Sequence, residues 1–353
     1  MPRCARSRLA PLRAVFGLAV LSGCAEPSSP SPQPVDAEVF LVGDAGALDA
    51  APTLTALTRT IEASRTDRDR IRVLFLGDNI YPAGMPDSSD LALRREKEQI
   101  LDLQIAVLRN ARVRGHFVPG NHDWSQMSPG GLDIVLRQQR YLAGHSEGLA
   151  TLLPAGGCPG PAVTEVGRTV RIVLLDTETW LRRESFGPPT DCAAASRQGV
   201  IDSLRRVLAL NDRRALVAAH HPVESGGPHG GFVPRGSSQA DEPASEDLGS
   251  APYTALRNDL ARAFAGAPPL VYASGHDHSL QVLRSASGTN LLVSGSAHEV
   301  TPVQRLPNAS FAKPVKGFMR LTFLADSSVH VTVFEVAPNG TITEGRPHLL
   351  PPP

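Results

Sequence analysis

Five short apolar runs in this sequence stop abruptly at small and polar residues whose side chains can bind metals, and that recurrence constrains the fold more than any other feature. The runs cover residues 38–42, 71–76, 116–118, 215–219 and 270–273. Each has the length and β-branched or apolar content of a buried strand. Helix-period segments lie between several of them, at about 51–66, 89–110, 130–143, 196–210 and 251–265, and alternation of strand and helix predicts an α/β layered fold. Two hairpin-like stretches, 163–176 around Gly167-Arg168 and 317–336 around Asp326-Ser327-Ser328, add antiparallel strands. The expected architecture is therefore a two-sheet mixed β-sandwich flanked by helices rather than a purely parallel sheet. The chain shows no internal repeat and no clear linker after residue 36, so residues 37–353 are expected to form one domain. Residues 226–250, rich in Gly, Ser and Pro, are long enough to suggest a functional loop rather than a simple connection.

The residues that follow each run carry the chemistry. They are Gly43-Asp44-Ala45-Gly46, Gly77-Asp78-Asn79-Ile80-Tyr81, Gly120-Asn121-His122-Asp123, His220-His221-Pro222 and Gly275-His276-Asp277-His278. Ligands of α/β sheets gather at the carboxyl ends of strands, so five strands deliver carboxylates, a phenol, an amide and imidazoles to one rim. Carboxylate, imidazole and amide oxygen suit moderately hard divalent or trivalent ions. There are more donors than one four- to six-coordinate ion needs, and a binuclear centre with ions about 3.5–4 Å apart would use them all. A lone Gly-Asp is usually a turn, and a lone buried His is usually just hydrogen-bonded. Five such blocks in order, each after an apolar run, are a different matter.

With these blocks in view the chain resembles the calcineurin-like metallophosphoesterases, and within them the purple acid phosphatase branch. The family's blocks Gly-Asp-x-Gly, Gly-Asp-x-x-Tyr, Gly-Asn-His-Asp/Glu, Val-x-x-His and Gly-His-x-His all occur in order between residues 43 and 278, with Val217-Ala218-Ala219-His220 as the fourth. The branch turns on two positions. Most of the family has a metal-binding His two residues after the first Asp, where this chain has Gly46, and the branch gains a phenolate ligand where this chain has Tyr81. The resemblance implies an αββα sandwich. It implies a first metal on Asp44, Asp78, Tyr81 and His278, a second on Asp78, Asn121, His220 and His276, and Asp78 as the bridge. The implied ions are Fe(III) with Fe(II), Zn(II) or Mn(II). His122 would face the substrate without binding metal, and His229, nine residues after His220, is a candidate second acid, the alternative being a solvated loop histidine. His221 is expected to pack and His298 to be peripheral. The implied reaction is hydrolysis of small phosphate monoesters by metal-bound hydroxide. The alternatives are a phosphodiesterase or nucleotide pyrophosphohydrolase on the same centre, and a non-catalytic metal- or phosphate-binding lipoprotein.

The first 23 residues hold Arg3, Arg6, Arg8 and Arg13, no acid, and an apolar run at 14–21 too short to span a bilayer. This is the pattern of a secretory signal, and Leu21-Ser22-Gly23-Cys24 resembles the bacterial lipobox, which makes Cys24 a candidate lipid anchor. A Pro/Ser-rich tether would occupy 24–36. Ala25 after the anchor favours outer-membrane or surface placement over the inner membrane. Without the four arginines the chain has 31 basic against 35 acidic residues, which argues against wrapping nucleic acid. Cys158 and Cys192 lie in Gly/Pro-rich sequence of a chain read as exported, where disulfides persist. They are expected to pair, the alternative being two buried free thiols.

Overall fold

Alternation within the first strand, β1 (Val35–Val42), already sets up the layers. Val39 and Leu41 face a core shared with a second sheet, while Phe40 and Val42 face helices, as the two-residue period of a strand requires. In the computed structural model, residues 33–182, 192–194, 196–232 and 246–353 are described. The strands that follow are β2 (Ile71–Phe75), β3 (Arg114–Phe117), β4 (Ala150–Leu152), β5 (Ala162–Val166), β6 (Val170–Leu174), β7 (Arg214–Ala218) and β8 (Val271–Ser274). Then come β9 (Leu280–Arg284), β10 (Asn290–Ser294), β11 (Ala309–Lys313), β12 (Gly317–Leu324), β13 (Val329–Val336), β14 (Ile342–Glu344) and β15 (His348–Leu349). The helices are α1 (Ala51–Ala63), α2 (Leu91–Ala111), α3 (Gly131–His145), the short α4 (Glu178–Leu181), α5 (Arg197–Leu208) and α6 (Ala251–Phe264).

One sheet has the order β14-β13-β12-β1-β2-β3-β4, with β15 also on β13, and the other β11-β9-β10-β8-β7-β6-β5. Neighbours β1 to β4 run parallel, as do β6, β7, β8 and β10, and the outer strands close each sheet antiparallel. Apolar faces of α1, α2 and α3 cover the first sheet through Leu57, Ile61, Leu101, Ile105, Val135 and Leu142. Those of α5 and α6 cover the second through Leu204, Tyr253, Leu256 and Leu260. Between the sheets lies a third apolar layer containing Leu74, Leu174, Leu216, Leu292 and Leu321. The expected sandwich of two mixed sheets between helices is what the chain forms.

Local chemistry explains where the helices begin. Asp90 accepts from the N–H groups of Ala92 and Leu93 ahead of α2, Ser196 from Gly199 ahead of α5, and Ser250 from Tyr253 ahead of α6, satisfying donors that a helix start leaves open. The two sheets are also tied at the end opposite the rim. The buried Asp36 carboxylate on β1 accepts from the Arg168 and Thr169 N–H groups and the Thr169 hydroxyl at 2.7–2.9 Å, in the β5–β6 turn. Cys158 and Cys192 are joined by a disulfide with Cα atoms 5.5 Å apart. The candidate anchor Cys24, the proposed signal and most of the tether lie outside the described residues.

Candidate metal centre

The rim is built from backbone under strain. Asp44, Asp78 and His276, which follow the strands β1, β2 and β8, have φ of 57°, 51° and 70°, a left-handed conformation that costs an L-residue about 1–2 kcal/mol. It turns each side chain across the carboxyl ends of the strands, where the sheets meet. Contacts there are close: a Cβ on Gly120 would lie 2.3 Å from Asp78 Oδ1, and one on Gly275 would lie 2.4 Å from Asp44 Oδ2. Only glycine fits beside these carboxylates.

Two groups of donors result. In the first, the Tyr81 hydroxyl lies 2.9 Å from Asp44 Oδ1 and 3.1 Å from His278 Nε2, and that nitrogen is 3.4 Å from Asp44 Oδ1. In the second, His220 Nε2 lies 2.9 Å from Asn121 Oδ1, 3.2 Å from His276 Nδ1 and 3.4 Å from Asp78 Oδ2. Asp78 adjoins both, because Asp44 of the first group, Asp78 and His220 of the second offer ligand atoms all within 4.8 Å of one another. The imidazoles are oriented from behind. His220 Nδ1 donates to the Leu76 carbonyl at 2.8 Å, His276 Nε2 donates to the Glu246 carbonyl at 2.9 Å, and His278 Nδ1 is 3.5 Å from the Glu299 carboxylate. Each ring therefore aims its other nitrogen into the centre.

Electrostatics test whether these residues fit metal ions. Asp44 and Asp78 are at most 1% exposed, and buried carboxylates need compensating positive charge. Burial opposes ionisation of His220, but the Asp78 and Asp44 carboxylates outweigh it and carry its pKa up to about 10. Burial likewise opposes ionisation of Asp78, and the imidazoles of His220 and His122 pull its pKa well below the usual carboxylate range. Burial together with Asp44 and Asp78 holds the Tyr81 phenol well above its ordinary value. The cluster therefore lacks positive charge at the point where its donors converge. A cation there would balance the carboxylates, release the His220 nitrogen and draw the proton from Tyr81. With only oxygen and nitrogen donors, and Asp44, Asp78 and His220 offering atoms within 4.8 Å of one another, the set fits hard or borderline ions.

The other histidines separate by position. His122 donates its backbone N–H to Asp78 Oδ1 at 2.9 Å and its Nδ1–H to the Pro82 carbonyl at 2.6 Å, leaving Nε2 in the site, 3.9 Å from Asp78 Oδ2. His229 stacks on His276 with ring centres 3.9 Å apart, and its Nδ1 bonds the Asp247 carboxylate at 2.7 Å. His221 is fully buried, bonds the Thr177 hydroxyl at 2.8 Å and lies 3.8 Å from Glu178. Burial and the neighbouring His220 keep it neutral. His298 lies nearer the centre than the sequence suggests: its ring is 4.8 Å from that of Tyr81, with Nδ1 3.1 Å from Asp49.

The chain is 25% identical to tartrate-resistant acid phosphatase type 5 of Mus musculus over 319 residues, 84% of this chain and 82% of that protein. It is 26% identical to the Homo sapiens protein over 309 residues, 82% and 80% of the two. Both relatives are named as acid phosphatases, and the chain is similar to them over more than four fifths of its length. No family model matches it. In fold, the chain superposes on a purple acid phosphatase from yellow lupin, Lupinus luteus, with a TM-score of 0.58 at 15% identity, over 87% of this chain and 52% of that longer one. A dimetal phosphatase from Danio rerio gives 0.53 at 16%, over 90% and 99%. GAP50, described as the anchor in the inner membrane complex of Plasmodium, gives 0.60 at 14%, over 90% of each chain.

The rim contains one residue to which sequence reasoning assigned no part. Asp123 is fully buried. Its carboxylate accepts from Asn79 N and Ile80 N at 3.1 Å and from Asn79 Nδ2 and Gly120 N at 2.9 Å. It thereby clamps the loop carrying Asp78 to the loop carrying Asn121. Burial and the Asp78 charge raise its pKa to about 7, with these N–H donors opposing. Its only sequence signal is its place as the acid closing the third block. Asp123→Ala would strand several buried donors. It should lower stability by more than about 3 kcal/mol and reduce bound metal, although Asp123 is not among the converging donors. Thermal unfolding with elemental analysis checks this, and unchanged metal content would refute the clamp.

Proposed function

We propose that this chain is a calcineurin-like metallophosphoesterase that hydrolyses small phosphate monoesters at a binuclear centre, with Asp44, Tyr81 and His278 on one ion, Asn121, His220 and His276 on the other, and Asp78 shared. The observation that carries the reading is the meeting of two donor groups at Asp78 with the His122 Nε2 left over beside them. Relatives named as acid phosphatases support the monoester as substrate. When bound, the two ions supply Lewis acidity, polarising a phosphoryl oxygen and acidifying water.

The chain's own residues would do the rest. Asp78, accepting the His122 N–H, holds the substrate-facing loop at a fixed distance from the donors. The Pro82 carbonyl fixes the His122 ring so that Nε2 can hold a proton and pass it to the departing oxygen. Asp247 fixes His229 in the same manner, aiming a second imidazole at the rim next to His276. No covalent phosphoenzyme is needed. A generic aryl phosphate should turn over faster than its bis-ester. Preference for the bis-ester would favour the diesterase alternative, and a protein loaded with two metals that acts on neither would favour a binding role. His122→Ala should lower kcat by about 10²–10⁴ with metal content intact, and hurt alkyl phosphates more than activated aryl phosphates. Equal loss on both would count against proton donation.

The proposed metals are Fe(III) at the Tyr81 side and Fe(II), Zn(II) or Mn(II) at the other. What supports iron is an interlock: a Cβ on Gly46 would lie 2.6 Å from the Asp78 carbonyl, 2.7 Å from Ile80 N and 2.8 Å from the Tyr81 ring. The space for a histidine ligand at 46 is filled by the tyrosine. The oxidised protein should absorb visible light through Fe(III)-phenolate charge transfer, and Tyr81→Phe should abolish the band and weaken iron binding. A colourless wild type indifferent to Tyr81→Phe would remove the iron assignment.

We also read the protein as exported and lipid-anchored through Cys24, at the outer membrane or cell surface, supported by Leu21-Ser22-Gly23-Cys24 and the Pro/Ser tract behind it. Among the described residues no helix is long and apolar enough to cross a membrane. Cys24→Ser should yield protein without acyl mass, released from membranes. Membrane retention of that variant at unmodified mass would refute the anchor.

A further inference from the structure

Glu246 touches two of the three donors that Asp78 joins at the second metal, and does so with two different atoms. Its side-chain Oε2 accepts from Asn121 Nδ2 at 3.1 Å. Its main-chain carbonyl accepts from His276 Nε2 at 2.9 Å. These contacts settle orientation. An asparagine amide can face a site with either its oxygen or its NH2 group, and only the oxygen can bind a cation. With Glu246 taking the NH2 group, Asn121 Oδ1 is left pointing at His220 Nε2, 2.9 Å away. The reversed amide would set its oxygen against the carboxylate and lose this bond. In the same way the Glu246 carbonyl claims the Nε2–H of His276 and commits Nδ1 to the centre, where it lies 3.2 Å from His220 Nε2.

Glu246 is itself held. The next residue, Asp247, bonds His229 Nδ1, and Leu248 donates its N–H to the His229 carbonyl at 2.9 Å and buries its side chain in the core over the second sheet. Ser250 then caps α6. The segment 246–250 is therefore pinned at both the rim and the helix, and its first residue cannot leave the centre without disturbing these contacts. Donation from the Asn121 amide to a carboxylate also increases electron density on Oδ1, making a weak neutral ligand stronger.

We infer that Glu246 is the positioning residue of the second metal site, orienting Asn121 and His276 without binding metal itself, an inference that rests on the binuclear reading. The consequence is asymmetric. Asp44, Tyr81 and His278 have no contact with Glu246 among the bonds described, so the first site should not depend on it. Metal-free wild type, Glu246→Ala and Glu246→Gln are loaded with one equivalent of iron and then titrated with Mn(II), free Mn(II) being read by its EPR signal. The tyrosinate band, or iron content where no band exists, reports the first site. Glu246→Ala should bind Mn(II) about 10–100-fold more weakly with the first site unchanged. Glu246→Gln, whose amide oxygen can still accept from Asn121, should recover most of the affinity. Wild-type Mn(II) affinity in Glu246→Ala would overturn the inference, as would equal loss at both sites. Failure of Glu246→Gln to recover would also overturn it, by indicating that the carboxylate binds the ion directly. A wild type that takes up only one ion would instead defeat the binuclear reading beneath it.

Discussion

The rim depends on a concentration of negative charge that the surrounding protein can hold in place but cannot neutralise. Asp44 and Asp78 are buried side by side where two sheets meet, and the compensation nearest Asp78 is a proton on His220. That proton occupies the nitrogen otherwise free to bind a cation. Folding the loops around such a cluster is feasible because Asp123, behind the site, binds both loops through three backbone N–H donors and the Asn79 side-chain amide. The residues that hold the loops and those that converge on the centre are therefore distinct, and a change in one set is felt by the other through two or three bonds.

Space is allocated as tightly as charge. Left-handed backbone at Asp44, Asp78 and His276 is unfavourable alone and is retained because strands on both sides fix the chain before and after it. Gly46 and Tyr81 exclude every larger choice at position 46, so the donor set on that side is a unit rather than a list of independent residues. The surroundings of Tyr81 continue this theme, with the rings of His122 and His298 packed 4.5 and 4.8 Å from it. A side chain at the centre is thus oriented by at least one neighbour that is not itself among the converging donors.

How much of this is legible in the sequence follows from what each residue's role depends on. Runs such as 71–76 and 215–219 read as strands because layers cover both faces, so that Arg72 is the one polar residue to interrupt them. The strands β9 and β10 are harder to see. Gln281, the second residue of β9, is buried with its amide bonded to Ser225, Ser279 and the Gly226 N–H, while β10 opens with Asn290, whose amide bonds the Leu270 carbonyl. The donors of the site follow strand ends directly and carry a pattern. Asp123 is marked only by its place in the third block, while Asp247 and Glu246 act on residues 18 or more positions away, so nothing local marks those two. Glu246 lies 125 residues from Asn121, at the end of a Gly- and Ser-rich stretch that signals a loop but not what the loop brings back. His298 is similar: its place beside Tyr81 arises from the packing of β10 against β1 and not from its own neighbours.

The claim on which the rest stands is that two ions share Asp78. Anomalous X-ray diffraction from crystals of the wild-type protein, collected at the absorption edges of the metals it contains, tests this directly. The account predicts two anomalous peaks about 3.5–4 Å apart, with the Asp78 carboxylate between them, Tyr81 and His278 beside one, and His220 and Asn121 beside the other. A single peak, or a pair of peaks with Asp78 touching only one, would contradict it.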